Sequence, residues 1–451
     1  MIVYLHIGTP KSGTTYLQDI CTLNREVLSG QGVLWPGQQW DEQVNAVRDV
    51  LDFHHGGEPP AGDGHGWAWL LDQVAAWRGR AVLVSMEWLV HATPSQVDFI
   101  VGSLHPHEVR VVVTARDLAR TVPAQWQEQM QNWATWTWDE YLSAVTSEQP
   151  WEHDAGRQFY QDHDLGRILR NWSARIPPER MTLITVPGRE AARDLLWRRF
   201  AEVISIDTAP IDTDVPFGNA SLGAASAELM RRINVAARGE GLSWRVGDPM
   251  LKWALAKGVL SERRGSEPRL TLPREHHDWA TRESRRMIGE IQAFDVPVVG
   301  SLVELMPAPA DLTDPAGPVR ITAEEMLAAA VDGIAGLTML VGAVATAGSS
   351  CSDVLQVESY VAEVRRRRAL DEANAAAAAP PGRTPDRDPD GTGVLPSPAS
   401  ADPADMLAAF RAHRGRAAPR ARTAAAWFRS RGRAAGRLSA TEDERRFPAS
   451  R

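Results

Sequence analysis

A short loop near the start of the chain constrains the fold more than any other sequence feature. Residues 2–7 are an apolar run with β-branched side chains, and residues 8–15 then read Gly-Thr-Pro-Lys-Ser-Gly-Thr-Thr. A segment with helical periodicity starts at Tyr16. A strand that ends in a Gly-bounded loop and continues as a helix directs several backbone N–H groups and the positive end of the helix dipole at one point. The pattern predicts a phosphate-binding loop.

The position of the lysine decides which kind of phosphate-binding loop this is. A nucleotide triphosphatase loop reads G-x-x-x-x-G-K-[ST], with its lysine directly after the second glycine. Gly8 and Gly13 have that spacing, but Thr14 stands where the lysine should be and Lys11 lies inside the loop. The loop is therefore predicted to bind phosphate without being a Walker motif. The alternative is an ordinary Gly/Ser/Thr turn between a strand and a helix.

The stretch Pro-Lys-Ser-Gly-Thr-Thr after an apolar strand resembles the 5′-phosphosulfate loop of sulfotransferases that use 3′-phosphoadenosine 5′-phosphosulfate (PAPS). The resemblance implies that Lys11 contacts the bridging oxygen between phosphate and sulfate. It implies that the hydroxyls and amides of Ser12, Gly13, Thr14 and Thr15 hold the 5′-phosphate, so that Lys11 and these four residues all bind the cofactor. It also implies the P-loop-like sulfotransferase fold, a three-layer α/β domain with a mainly parallel sheet and helices on both faces. PAPS is then the expected cofactor, and no metal is expected.

A carboxylate follows the second predicted strand, residues 81–85. Chemistry in open α/β sheets collects at the carboxyl ends of the strands. The resemblance places a catalytic base there, and Glu87 falls on that position, whereas Ser85 replaces a lysine that the cytosolic members of the family keep. Glu87 and Lys11 are thus the expected catalytic residues. The alternative is that Glu87 caps the helix predicted to begin near Thr93, or lies in solvent.

An arginine follows the next predicted strand, residues 109–115. The resemblance implies that Arg116 contacts the 3′-phosphate of the cofactor. The family's serine eight residues later is Ala124 here, so Thr121 or Gln125 is expected to substitute for it. A guanidinium can bind a phosphate through two parallel hydrogen bonds on its own. The alternative for Arg116 is a surface ion pair with a neighbouring acid.

Two later segments bear on binding. Residues 217–223 come where relatives have a basic loop over the 3′-phosphate, but they contain no lysine or arginine, so Asn219 and Ser221 are the candidate substitutes. The alternative is that they only cap the helix predicted over 224–237. Trp126, Met130 and Trp133 lie near one face of a helix predicted over 122–138, where the family has its acceptor pocket. The same spacing is typical of an ordinary core stripe, and that alternative stays open.

Length and composition divide the chain into a body and tails. The 451 residues exceed one typical domain. We predict a sulfotransferase-like domain over 1–306, a helical extension over 307–379, and a disordered Pro/Asp-rich linker with an Arg/Ala-rich tail over 380–451. The Ala/Leu/Val-rich segment within the extension contains Asp332 and several glycines, which disfavours a membrane span.

Charge and cysteine content restrict partners and compartment. Residues 406–451 carry 12 arginines and three acids, a net charge of +9, which leaves −17 on the rest of the chain. The body is therefore not expected to bind nucleic acid. Cys21 and Cys351 are too few and too far apart for a disulfide framework or a metal site. With no room for a signal peptide before the first strand, a cytoplasmic location is expected.

The sequence thus predicts transfer of a sulfonyl group from PAPS to a hydroxyl or amine of an acceptor. Carbohydrate, lipid and secondary-metabolite acceptors all remain open, as does the oligomeric state. One alternative is a catalytically silent protein of the same fold that binds PAPS or its desulfated product (PAP). A P-loop kinase is a further alternative, which the place of Lys11 disfavours.

Overall fold

Six parallel strands form the centre of the fold. The computed structural model describes residues 1–38, 40–52, 66–215, 221–242, 247–308 and 321–346. The strands are β1 (Ile2–His6), β2 (Val33–Leu34), β3 (Ala81–Ser85), β4 (Glu108–Ala115), β5 (Met181–Thr185) and β6 (Val298–Val299). Their order across the sheet is β2-β3-β1-β4-β5-β6, and every neighbouring pair is parallel. The prediction of an α/β fold with a parallel sheet is confirmed at this level.

The central strands are buried on both faces. All five residues of β3 and four of the five in β1 are buried. Because successive side chains of a strand point to opposite faces, this burial requires cover on both sides of the sheet. The near-continuous apolar sequence of these strands is what a doubly covered parallel sheet needs.

Helices make up most of the remaining described structure. They are α1 (Thr14–Leu23), α2 (Arg25–Gly30), α3 (Trp40–Val50), α4 (Trp67–Ala76), α5 (Pro94–Ser103), α6 (Leu118–Gln131), α7 (Trp138–Val145), α8 (Asp154–His163), α9 (Leu165–Ser173), α10 (Leu195–Val203), α11 (Ala224–Gly239), α12 (His277–Phe294) and α13 (Ala323–Thr346). The first helix after the loop is shorter than its periodicity suggests. It is interrupted at Asn24, whose side-chain amide donates to the carbonyls of Ile20 and Asp212 and so competes with helical hydrogen bonds.

The tryptophan-bearing helix was predicted to extend too far. α6 ends at Gln131, and Trp133 has a positive φ of 70° outside it. Trp126, Met130 and Trp133 are 1%, 0% and 4% exposed, so these side chains are core. The core alternative is confirmed, and the idea that these rings are exposed in an acceptor pocket is wrong.

The chain divides into two compact units. One comprises residues 1–248 and 261–329, and the described part of the other comprises 249–260 and 330–346. α13 begins with a capping box, in which Thr322 Oγ1 accepts from the Glu325 N–H and Glu325 accepts from the Thr322 N–H. Within the described ranges, no helix is long and apolar enough to cross a membrane. Most of the predicted extension and all of the predicted tail lie outside the described residues.

Candidate active site

The loop between β1 and α1 is folded over the carboxyl end of the sheet. Gly8, Lys11 and Gly13 have positive φ values of 99°, 60° and 88°. The Thr9 N–H donates to the carbonyl of Thr114 over 2.7 Å, which ties the loop to the end of β4. The first hydrogen bond of α1 runs from Leu17 N–H to Gly13 C=O, so the amides before it belong to the helix N-terminus. The loop therefore has the form that the sequence predicts for an anion-binding turn.

The predicted loop residues play different parts. The Ser12 hydroxyl lies 2.5 Å from both the Thr9 carbonyl oxygen and Thr114 Oγ1, turned towards the sheet. Thr14 is buried and Thr15 is half-buried at the start of α1. A Cβ on Gly13 would lie 2.5 Å from Leu196 Cδ2, so α10 packs directly on the glycine. Contact between this loop and a phosphate therefore has to come from groups other than the Ser12 hydroxyl.

The ammonium group of Lys11 is paired with a carboxylate that sequence reasoning missed. Lys11 Nζ lies 3.1 Å from Glu128 Oε2, and the two side chains are only 12% and 17% exposed. Glu128 lies on α6 four residues after Ala124, the position where the family resemblance leads one to expect a phosphate contact. Residues four apart share a helix face, so the spacing was a usable signal.

Glu87 lies against the loop. It begins a short 3-10 turn directly after β3, and a Cβ on Gly8 would lie 2.8 Å from Glu87 Cβ. Gln18 Nε2 donates to Glu87 Oε2 over 3.3 Å. Thr93, not Glu87, caps the next helix. Burial raises the pKa of the Glu87 carboxyl above its ordinary value and Glu128 adds to the rise, whereas hydrogen bonds, including that from Gln18, and the charge of Lys11 oppose it.

A buried chain of hydrogen bonds joins the Glu87 side of the site to the loop. Gln18 Nε2 also lies 3.3 Å from Ser85 Oγ, which lies 2.7 Å from His6 Nδ1. His6 Nε2 lies 3.1 Å from Thr114 Oγ1, and that hydroxyl contacts Ser12. His6 is 0% exposed and its ring packs edge-on against Phe200. We call this set, Gln18, Ser85, His6, Thr114 and Ser12, the His6 chain.

The donors along the His6 chain run in one direction. Ser12 has a single hydroxyl proton, which the Thr9 carbonyl accepts, and the single proton of Thr114 is taken by Ser12 Oγ or by the Gly8 carbonyl, 3.2 Å away. Thr114 then has no proton for His6, and its contact with Nε2 requires an Nε2–H donor. Nδ1 is therefore the acceptor of the Ser85 hydroxyl proton. This order fixes the tautomer of the ring, and burial lowers the pKa of His6 to about 3, which keeps it neutral.

We expect His6→Leu to lower the free energy of unfolding at pH 7 by about 2–4 kcal/mol, because it leaves the Ser85 and Thr114 hydroxyls without their ring partner. The folded state protonates His6 near pH 3 and the unfolded chain near 6.5, so His6 makes stability fall as pH drops through that window. The His6→Leu variant should lose the part of the pH dependence of stability that comes from His6. Urea unfolding between pH 7 and 4 measures both effects; slopes that stay parallel would contradict the assignment.

The remaining predicted contacts lie around the end of β4. Arg116 Nη2 donates to the Arg120 carbonyl over 2.6 Å, and its Nε is buried with no hydrogen-bond partner among the described residues. Burial, followed by the charge of Arg120, lowers the pKa of Arg116 to about 10. Gln125 donates to Asp162 over 2.6 Å and so is bound elsewhere. Asn219 lies outside the described residues.

The site as a whole brings Lys11, Glu87 and Glu128 together at the carboxyl edge of the sheet. Arg116 follows β4, the strand that lies next to β1. No family model, curated protein or solved structure matches the chain.

Proposed function

We propose that the protein is a sulfotransferase that moves a sulfonyl group from PAPS to a hydroxyl or amine of an acceptor. The observation that carries the proposal is the direct packing of Gly8, in the lysine-bearing loop, against Glu87. An in-line displacement needs a positioned cation for the leaving group and a positioned carboxylate for the proton of the acceptor. This packing brings the two kinds of group together at the carboxyl edge of the sheet. The lysine inside the loop, instead of after Gly13, favours this chemistry over that of a P-loop kinase.

The residues present fit an anionic donor. The loop ends at the N-terminus of α1, where the helix dipole favours negative charge. Arg116 has a buried N–H without a partner among the described residues. When bound, PAPS supplies a sulfur atom that forms a bond to the acceptor as its bond to the bridging phosphate oxygen breaks, the electron pair staying on that oxygen.

Each side chain then has a distinct task. Glu87 takes the proton of the acceptor hydroxyl or amine, a task suited to a carboxyl whose pKa burial raises. Lys11 neutralises negative charge on the departing phosphate oxygen. Arg116 binds the 3′-phosphate at the adenosine end of the donor.

One observation favours a second candidate, a PAPS-binding protein without catalysis. The Lys11 ammonium is paired with Glu128, and the negative charge of that carboxylate offsets the positive charge that a leaving group would need. Turnover separates the two candidates. Formation of PAP from PAPS in the presence of a panel of hydroxyl and amine acceptors supports the enzyme, and binding without turnover supports the silent protein.

Both candidates require the protein to bind PAP. Calorimetric titration with PAP tests this binding, with ATP and magnesium as the comparison ligand. We expect selective PAP binding that Arg116→Ala weakens by at least tenfold, because it removes a charged hydrogen-bond donor. Arg110→Ala is the matched control, since this arginine lies on β4, the strand that precedes Arg116, is half-exposed and pairs with Glu108. Absence of PAP binding, or preference for ATP with magnesium, would overturn the sulfotransferase proposal.

A further inference from the structure

A groove lies beside β2, the edge strand of the sheet. Its volume is about 540 Å³, which lies within the usual range of small-molecule sites, roughly 300–1,000 Å³. We call it the β2 groove. Its walls come from four parts of the chain and include Arg25 and Glu26 of α2, Trp35 and Gly37 after β2, Glu42 of α3 and Trp69 of α4. None of these residues has a task in the proposed transfer reaction.

A glycine lets a carboxylate and an aromatic ring meet in the groove. Gly37 has a positive φ of 81°. A Cβ at this residue would lie 2.7 Å from Glu42 Oε2 and 3.1 Å from Trp69 Cη2. Any side chain at this position would therefore collide with the carboxylate and the indole ring. The absence of a side chain leaves both groups at the wall of the groove.

Two tryptophans supply flat apolar walls. Trp35 is 6% exposed, and its indole N–H donates to Thr22 Oγ1 over 3.2 Å, which fixes the orientation of the ring. The Trp69 side chain is only partly buried. The face of an indole ring carries negative charge density, so it attracts a flat ligand surface made of C–H groups.

The polar groups of the groove include both donors and acceptors. Arg25 Nη1 donates to the Trp35 carbonyl over 3.1 Å, and Glu42 accepts from the Gln38 N–H. Burial lowers the pKa of Arg25, and the charge of Glu42 opposes that shift. One arginine and two glutamates give the described lining residues a net charge of −1, with Glu26 as the second glutamate. This charge disfavours a phosphate or sulfate ligand and suits a neutral polar one.

We propose that the β2 groove binds a sugar unit of a carbohydrate. A pyranose ring has a face of C–H groups, which fits an indole ring, and a rim of hydroxyls that both donate and accept. Carboxylate, guanidinium and amide groups each present two polar atoms in one plane, which matches two neighbouring hydroxyls. Gln38 and Gln73 add two amides to the lining. A lipid chain in the same place would cover these polar groups without pairing them.

The groove lies close to Glu87 along α1. Gln18 of this helix donates to Glu87, and Thr22, one turn or about 6 Å further along, accepts from Trp35. The sugar has two sources, which share this chemistry. If the proposed function holds, on which this arm rests, it is a distal unit of an oligosaccharide acceptor whose reacting group lies at Glu87. The other source is a carbohydrate that binds independently of transfer.

Calorimetric titration with cellotetraose, maltotetraose and chitotetraose tests the site. We expect at least one of them to bind the wild type, and Trp69→Ala and Glu42→Gln each to weaken that binding by about tenfold, through loss of the ring and of a charged acceptor. Ser29→Phe should block binding with little change in melting temperature, since Ser29 is an exposed residue of α2 at the groove. Trp151→Ala is the matched control, because this tryptophan is 42% exposed and lies outside the groove.

The inference is overturned if none of the three sugars binds, or if the three groove variants bind them as the wild type does. Where Trp69→Ala lowers the melting temperature, Ser29→Phe decides. Initial rates with PAPS and the sugar that binds then separate the two sources. A raised KM with unchanged kcat in Trp69→Ala indicates a distal subsite for the acceptor. If the wild type forms no PAP, the proposed function fails and the titration alone decides the inference.

Discussion

Replacing Lys11 by methionine is expected to lower the rate of sulfonyl transfer by about a hundredfold to a thousandfold and to change PAP affinity far less. The loss is that of one preorganised charge aimed at a leaving group. Methionine keeps much of the apolar stem that lies in the half-buried loop, so the change is confined to the ammonium. The measurement is the initial rate of PAP formation from PAPS with an acceptor panel, beside a calorimetric titration with PAP.

The Lys11–Glu128 pair supplies the control for this experiment. Removing Lys11 alone leaves the mostly buried Glu128 without that cation, which should lower stability. Adding Glu128→Gln to Lys11→Met should restore stability without restoring transfer. Equal losses of transfer and PAP affinity in Lys11→Met, reversed in the double variant, would show that Lys11 only supports the fold.

Glu87→Gln is expected to lower transfer by about a hundredfold to ten-thousandfold, the usual contribution of a general base. PAP affinity should be kept, since the amide can still accept from Gln18. The pKa of Glu87 is raised in the folded state, so the folded protein holds this proton more tightly than the unfolded chain. Stability therefore falls as pH rises through that pKa, and the variant should be more stable than the wild type at pH 7.

Variants of two other glutamates are compared with Glu87→Gln. Glu202→Gln makes the same chemical change on an exposed surface of α10 and should alter neither rate nor stability. Glu128→Gln tests the rival carboxylate of the site. If transfer survives in Glu87→Gln and is lost in Glu128→Gln, the base is Glu128 and the assignment of Glu87 is wrong.

Strands β3 and β4 could be predicted closely from the sequence because they are short, apolar and bounded by turn or charged residues. The β3 strand has its expected bounds, and β4 begins one residue early. Helix ends were harder, because they depend on side-chain contacts that are distant in sequence. The break at Asn24 depends on a hydrogen bond to Asp212, which no local pattern reveals.

Some residues of the candidate site could likewise be predicted from the sequence, and others could not. Lys11 and Glu87 could be placed because each follows directly on a buried strand, and parallel strands bring their carboxyl ends to one edge. The side chains of His163 and Ser284, which line a small cavity with Arg116, could not be predicted there, since they reach it through the packing of α8 and α12 and belong to no local motif. The engagement of Gln125 by Asp162 was hidden for the same reason.

The direction of the donors along the His6 chain affects where a proton on Glu87 can go. The Gln18 amide nitrogen touches Glu87 only as a donor, and a donating amide has no lone pair with which to receive a proton. In the proposed sulfonyl transfer, a proton that Glu87 takes from the acceptor would therefore find no hydrogen-bonded path into the sheet along this chain. It would have to pass to solvent or to a bound group, so a ligand that covers Glu87 would also hold back the proton.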